Sequence, residues 1–161
     1  MSADFAASFF NYGSVEVHER ADELALLAGR PQSDWAKVLA HTETRRFSRD
    51  ETIISAGEKD RALYLLTEGT LGVRLDADTD KTFKAIDAPS VVGEVAFLDG
   101  GPRSATLFAI TDGELLRLRM ESFETLAARE PELGRAILFD LARIVTARLR
   151  LASDVIARTG G

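Results

Sequence analysis

Between about residue 46 and residue 120 the helical period gives way to short apolar or alternating runs divided by turn signals. Leu71, Val73 and Leu75 alternate with Gly72, Arg74 and Asp76, as a strand with one buried face requires. Ala62–Thr67 is a short apolar run closed by Glu68 and Gly69. A polar turn over Asp76–Lys81 leads to a further strand over Thr82–Ile86. Leu107–Ile110 and Leu115–Met120 flank the turn signal Thr111-Asp112-Gly113. Short strands at this spacing pack as an antiparallel sandwich or roll.

Both flanks carry a helical period instead. Residues 1 to about 45 read as two or three helices: Phe5, Phe9 and Phe10 form one cluster, and Ala21, Leu24, Ala25 and Ala28 a second. A third is capped by Ser33 or Asp34, with Trp35, Val38 and Leu39 facing inward. After the strands, Glu121–Arg129 is one helix, and Glu132 to about Ala157 is a long one. Ile137, Leu141, Ile144, Leu151 and Val155 make a heptad-like seam on it, with Arg148 in a seam slot. The fold class expected is α+β, mainly β: an antiparallel β-roll or jelly roll flanked by N-terminal helices and a long C-terminal helix. Residues 1–30 read as a helical extension and 31–161 as the domain proper, with the roll at about 46–120 and the C-terminal helices at 121–157.

Composition narrows the function classes. The chain has 26 acidic and 20 basic residues, a formal net charge of −6, which disfavours a surface that coats nucleic acid. It has no cysteine, hence no disulfide framework and no thiolate metal site. No signal-peptide pattern opens it, and no apolar run approaches the ~18 residues needed to span a bilayer. A cytoplasmic protein that contacts no membrane is the expectation. The two histidines, His18 and His41, lie in the N-terminal part, away from any roll interior, so no metal site is expected. The four lysines, Lys37, Lys59, Lys81 and Lys84, include none in a phosphate-loop motif, so a nucleotide hydrolase is disfavoured. No catalytic residue and no catalytic cofactor is expected.

The segment Gly93–Thr106 carries the chemistry. Glu94–Leu98 suits a short helix, and Asp99-Gly100-Gly101-Pro102 then bends sharply before Arg103, Ser104 and Ala105. Backbone N–H groups around such a bend form an anion site, and an arginine fork matches two phosphate oxygens. Glu94 repels phosphate but accepts from a sugar hydroxyl. Together they describe a ribose phosphate. Equally, Glu94 and Arg103 pair with each other across the turn, a contact of about 1 kcal/mol or less when exposed.

The run Gly-Glu-Val-Ala-Phe-Leu-Asp-Gly-Gly-Pro-Arg-Ser-Ala-Thr from Gly93 resembles the phosphate-binding cassette of cyclic-nucleotide-binding domains. Upstream, Gly57-Glu58, Asp60, Leu63-Tyr64-Leu65 and Gly69 match that family's roll signature in order. Catabolite activator proteins, protein kinase regulatory subunits and cyclic-nucleotide-gated channels share this domain. The resemblance, over roughly residues 35–157, implies that Glu94 accepts from the ribose 2′-hydroxyl and that Arg103 pairs with the cyclic phosphate. It further implies a cradle of backbone amides near Ala96, Ser104 and Ala105, hydroxyl contacts from Ser104 or Thr106, and Gly93 and Val95 among the ligand-binding residues. Val92 stands where the family usually has an aromatic.

The same resemblance implies cAMP as ligand in preference to cGMP, because Ser104 follows the arginine where cGMP binders often carry Thr. It places the purine over roll residues such as Val73 or Val91, beneath a side chain of the last helix. Arg148 is the candidate for that side chain, or else it snorkels past apolar neighbours to solvent. The implied function is a sensor whose last helix swings on binding and signals to a partner protein, and the heptad seam of that helix suits a homodimer. A cyclic-nucleotide-binding fold kept only for protein interaction is the alternative. The chain holds no helix-turn-helix segment, so no nucleic-acid contact of its own is expected. It reads as a free-standing sensor, as Met1 favours, or as the sensor part of a longer transcription factor or channel.

Overall fold

The computed structural model describes residues 26–74 and 84–159. Eight strands form two four-stranded antiparallel sheets. They are β1 (Glu43–Phe47), β2 (Thr52–Ile54), β3 (Ala62–Glu68), β4 (Thr70–Arg74), β5 (Lys84–Asp87), β6 (Ser90–Val92), β7 (Thr106–Ala109) and β8 (Gly113–Arg119). One sheet runs β1-β8-β3-β6 and the other β2-β7-β4-β5. Four described helices accompany them: α1 (Gln32–Leu39), α2 (Glu94–Asp99), α3 (Met120–Arg129) and α4 (Pro131–Thr159). This is the α+β roll with a long C-terminal helix that the periodicity implied.

The alternation of side chains divides the interior into two cores. Phe47, Tyr64, Leu66, Leu71, Val73, Leu107 and Leu115 fill the space between the sheets. The opposite face of the first sheet presents Leu63, Leu65, Val91 and Leu118 to the helices. Phe97, Phe123, Leu126, Ile137, Leu141 and Ile144 cover it, with Leu26 and Leu27 from the segment before α1. The first sheet therefore has both faces buried, which is why β3 reads as a continuous apolar run rather than an alternating one. Gly72 is buried although its position faces away from the inter-sheet core. The Phe108 ring lies on it, and a Cβ there would sit 2.4 Å from the ring.

Several local expectations differ from the structure. α1 follows Pro31 and has no side-chain cap: Asp34 lies within its first turn, where it meets Arg30 Nε at 2.8 Å. Val38 is buried on the inner face, but Leu39 is 47% exposed. β1 starts at Glu43, inside the stretch read as helical, because its Glu-Thr-Arg-Arg-Phe sequence leaves a single buried side chain, Phe47. Ala28 lies in a turn rather than on a helical stripe. The Phe5, Phe9 and Phe10 cluster, Ala21, Leu24 and Ala25, and the Asp76–Lys81 turn lie outside the described residues, as do Leu75 and Thr82. Among the described residues no helix is long and apolar enough to cross a membrane.

Candidate functional site

α2 is bounded by Gly93 (φ +79°) and Gly100 (φ +71°), both left-handed. At Gly93 the requirement is also steric. A Cβ there would stand 2.7 Å from Arg103 Nη1 and 3.2 Å from the Ala62 carbonyl oxygen. After α2, Asp99 Oδ1 accepts from Gly101 N–H at 2.7 Å and shapes the bend. The strand exit is then fixed by a reciprocal backbone pair: Arg103 N–H donates to Glu58 O and Gly57 N–H to Arg103 O, each at 2.8 Å. Thr106 Oγ1 accepts from Ala56 N–H at 3.0 Å. These bonds place the Arg103 side chain inside the roll.

There the guanidinium is 5% exposed as a residue and held on three sides. Nη1 donates to Gly93 O at 3.0 Å, and Nη2 donates to Ala62 O at 2.7 Å and reaches Asp60 Oδ2 at 3.4 Å. The Tyr64 ring centroid lies 5.6 Å from it. Its Nε–H is buried and finds no acceptor among the described residues. The same holds for the Nε of Arg74 and Arg117, which do not line the cleft described below.

Asp60 belongs to a wider cluster. It accepts from the Tyr64 hydroxyl at 2.9 Å and from Arg117 Nη2 at 3.1 Å. Burial pushes its carboxyl up, but the Tyr64 hydrogen bond and the Arg117 and Arg103 charges outweigh burial and hold it below its ordinary value. Burial and the same bond raise the Tyr64 phenol.

Glu94 and Arg103 do not pair with each other. Glu94, 3% exposed, forms a salt bridge with Arg148 of α4, which is 8% exposed. Arg148 Nη2 also donates to the Val91 carbonyl at 2.7 Å. The seam arginine therefore turns inward and does not snorkel to solvent. Ile137, Leu141 and Ile144 of the same seam are fully buried against this chain's own roll, so that seam is not free for a second chain. The side chains of Leu151 and Val155 lie outside the described residues.

One cleft is lined by Gly93, Glu94, Val95, Ala96, Arg103, Ser104 and Ala105, closed on its apolar side by Ile54 and Leu107. The structure thus gathers seven of the residues singled out in the sequence. Thr106 adjoins them. Val73 is sealed between the sheets and Val91 beneath the helices, neither lining the cleft. Sequence reasoning passed over Ile54 and Leu107, whose only signal is apolar alternation in short strands. It assigned no role to Asp60, whose partners come from β3, β8 and the cassette.

Residues 44–130, more than half of the chain, match the family described as cyclic nucleotide-binding domain. Glutaminase 2 of Bradyrhizobium diazoefficiens is 28% identical over 145 residues, covering 90% of this chain and 23% of that protein. The cyclic AMP receptor protein of Thermus thermophilus is 31% identical over 119 residues, covering 71% of this chain and 52% of the relative. Among solved structures, the catabolite activator protein of Thermus thermophilus superposes with a TM-score of 0.73 at 27% identity, covering 84% of this chain and 62% of that one. The chain spans between about a quarter and a half of these curated relatives.

Proposed function

The chain belongs to the cyclic nucleotide-binding domain family, and we propose that it is a regulatory sensor that binds cAMP in the Gly93–Thr106 cleft and performs no catalysis. The observation that carries this is the presence in one cleft of two buried side chains of opposite sign, Arg103 and Glu94, that do not bond each other. The cyclic phosphate is the group that the Arg103 cation takes. The N–H groups of the first turn of α2, which have no partners within the helix, face the same anion. Glu94 accepts from the ribose 2′-hydroxyl, Ser104 adds a hydroxyl, and the purine lies toward Ile54 and Leu107. Ser104 after Arg103 supports cAMP over cGMP.

Binding is transmitted through Glu94. The ribose hydroxyl and Arg148 share one carboxylate, so occupancy of the cleft alters the contact that ties α4 to the roll. A ligand shifts the position of α4 only to the extent that the two positions differ in affinity for it. On α4, Leu138, Ala142, Val145 and Leu149 follow one another at spacings of four, three and four. Leu138 is 41% and Leu149 44% exposed, and both lie off the buried seam. This heptad face takes a second copy of the chain, giving a homodimer. A partner protein then reads the helix position.

Calorimetric titration with cAMP and with cGMP tests the reading. Wild type binds cAMP more tightly than cGMP. Arg103→Ala loses about 2–5 kcal/mol, at least thirtyfold in affinity. Equal affinities in wild type and variant, or no binding by either, reject the site.

A further inference from the structure

We propose that Arg61, outside the cassette, is a positioning residue that sets the spacing between Glu94 and Arg103, an inference resting on the cyclic-nucleotide reading above. Arg61 ends the loop between β2 and β3. Its Nε donates to the Phe97 carbonyl at 2.8 Å and its Nη2 to the Leu98 carbonyl at 2.9 Å. Both belong to the last turn of α2, where Gly100 N–H closes the helix on Ala96 O at 2.9 Å. Carbonyls at a helix end have no partner within the helix, and a cation there also suits the helix dipole. α2 has no basic residue in its own last turn, so Arg61 supplies that cation from another element.

The same loop holds the far end of the bend. Gly57 and Glu58 form the reciprocal backbone pair with Arg103, each bond 2.8 Å long. Asp99-Gly100-Gly101-Pro102 is therefore clamped at both ends by residues 57–61, its start through Arg61 and its exit through Gly57 and Glu58. Glu94 stands on the clamped helix and Arg103 directly after the clamped bend. The loop thus fixes how far apart a hydroxyl acceptor and a phosphate cation stand. Arg61 is itself anchored, since its carbonyl accepts from Met120 N–H at 3.0 Å and continues the β3–β8 ladder past Ala62 and Arg119. Groups held at a fixed spacing bind without having to be ordered at the moment of binding.

The opposing effect is water, which competes for both carbonyls because Arg61 is exposed. Two features favour the clamp. One planar fork makes both bonds, so a single side chain is ordered for two contacts. The guanidinium also lies over the bend: a Cβ on Gly100 would stand 3.6 Å from Arg61 Nε, an ordinary packing distance. A six-residue helix is too short to hold itself, so α2 takes its shape from outside contacts of this kind.

The test compares wild type, Arg61→Ala and Arg61→Lys as full chains, with cAMP and 2′-deoxy-cAMP as the probes. In calorimetry Arg61→Ala binds cAMP roughly tenfold more weakly. Arg61→Lys falls between the two, because an ammonium replaces the fork with a point charge. The discriminating readout is the ratio of the two affinities. Wild type prefers cAMP over the deoxy compound by about tenfold through Glu94, and in Arg61→Ala that preference shrinks toward unity. A merely structural role lowers both affinities alike and leaves the ratio unchanged, which overturns the proposal. The second readout needs no ligand. Amide hydrogen exchange over residues 97–101 speeds up in Arg61→Ala, while the Arg103 amide and those of α4 keep their protection. Unchanged exchange over 97–101, or an equal rise throughout the chain, also overturns the proposal. Wild type that binds neither nucleotide, or does not distinguish them, rejects the ligand reading instead, and the exchange then decides the clamp by itself.

Discussion

The cassette and the long C-terminal helix each bury an arginine, and they anchor it to different parts of the fold. Arg103 is held by its own neighbourhood, through Gly93 of the cassette, Ala62 at the start of β3 and Asp60 in the loop before it, and it lines the cleft. Arg148 comes from α4 and reaches across to Glu94 of the cassette and to the Val91 carbonyl of β6. The first arrangement places a cation in the wall of the cleft. The second is a link between two elements that otherwise meet through apolar contacts, which are non-directional and tolerate sliding. A buried ion pair contributes little net stability over a hydrophobic substitute but makes one relative placement strongly preferred. In this protein it fixes the placement of α4 against the cassette.

The two arginines should therefore fail differently. Arg148→Ala leaves Glu94 buried without its partner and costs about 3–5 kcal/mol, read as a lower urea midpoint. The double variant Glu94→Gln with Arg148→Met recovers much of that loss, since it removes both charges and keeps an apolar stem. Equal stability of Arg148→Ala and wild type would remove the distinction between link and site. Arg103→Ala has its main effect on affinity, as above.

Gly93→Ala attacks the site from the backbone. Its φ of +79° costs a residue with a Cβ about 1–2 kcal/mol, and that Cβ would also press on Arg103 Nη1. Affinity for cAMP falls in this variant, by less than in Arg103→Ala. The α4 comparison is sharpened by Leu149→Glu, which lies off the buried seam. It abolishes self-association in analytical ultracentrifugation and leaves cAMP affinity within about threefold of wild type, the sign of a surface that does not build the cleft. Smallest is the pH effect of Asp60. Its folded carboxyl titrates below its ordinary value, so its stabilising contribution is present above the unfolded pKa and is lost as pH falls through the lower, folded one. Acid unfolding of Asp60→Asn is accordingly less steep across that window than that of wild type.

How much of this could be read from the sequence also differs between the two regions. The cassette is contiguous, so Gly93, Glu94, Arg103 and the bend between them announce a ribose-phosphate site within a single segment. The long helix announced itself by its period, and the seam through Ile137, Leu141 and Ile144 is buried as that period required. What the seam packs against was not legible. A heptad-like stripe suits a partner helix or the chain's own sheet equally, and here the sheet has it. The partners of Glu94 were hidden for the same reason, since Arg148 is distant in sequence and stands in a slot that periodicity marks only as odd. β1 and β2 escaped because a short edge strand rich in charge and a three-residue strand carry almost no alternation. Asp60 showed no sign of its several partners, because hydrogen bonds drawn from β3, β8 and the cassette exist only once those elements are assembled.

The most direct measurement is amide hydrogen exchange across Glu94–Asp99 and Pro131–Thr159, with and without cAMP, in wild type and in Arg103→Ala. Binding changes protection in both stretches of wild type, the cassette helix because it closes on the phosphate and α4 because its contact at Glu94 changes. Arg103→Ala shows neither change at the same cAMP concentration. Protection that changes in the cassette alone would contradict transmission through Glu94 and Arg148, and no change in either stretch of wild type would contradict the site itself.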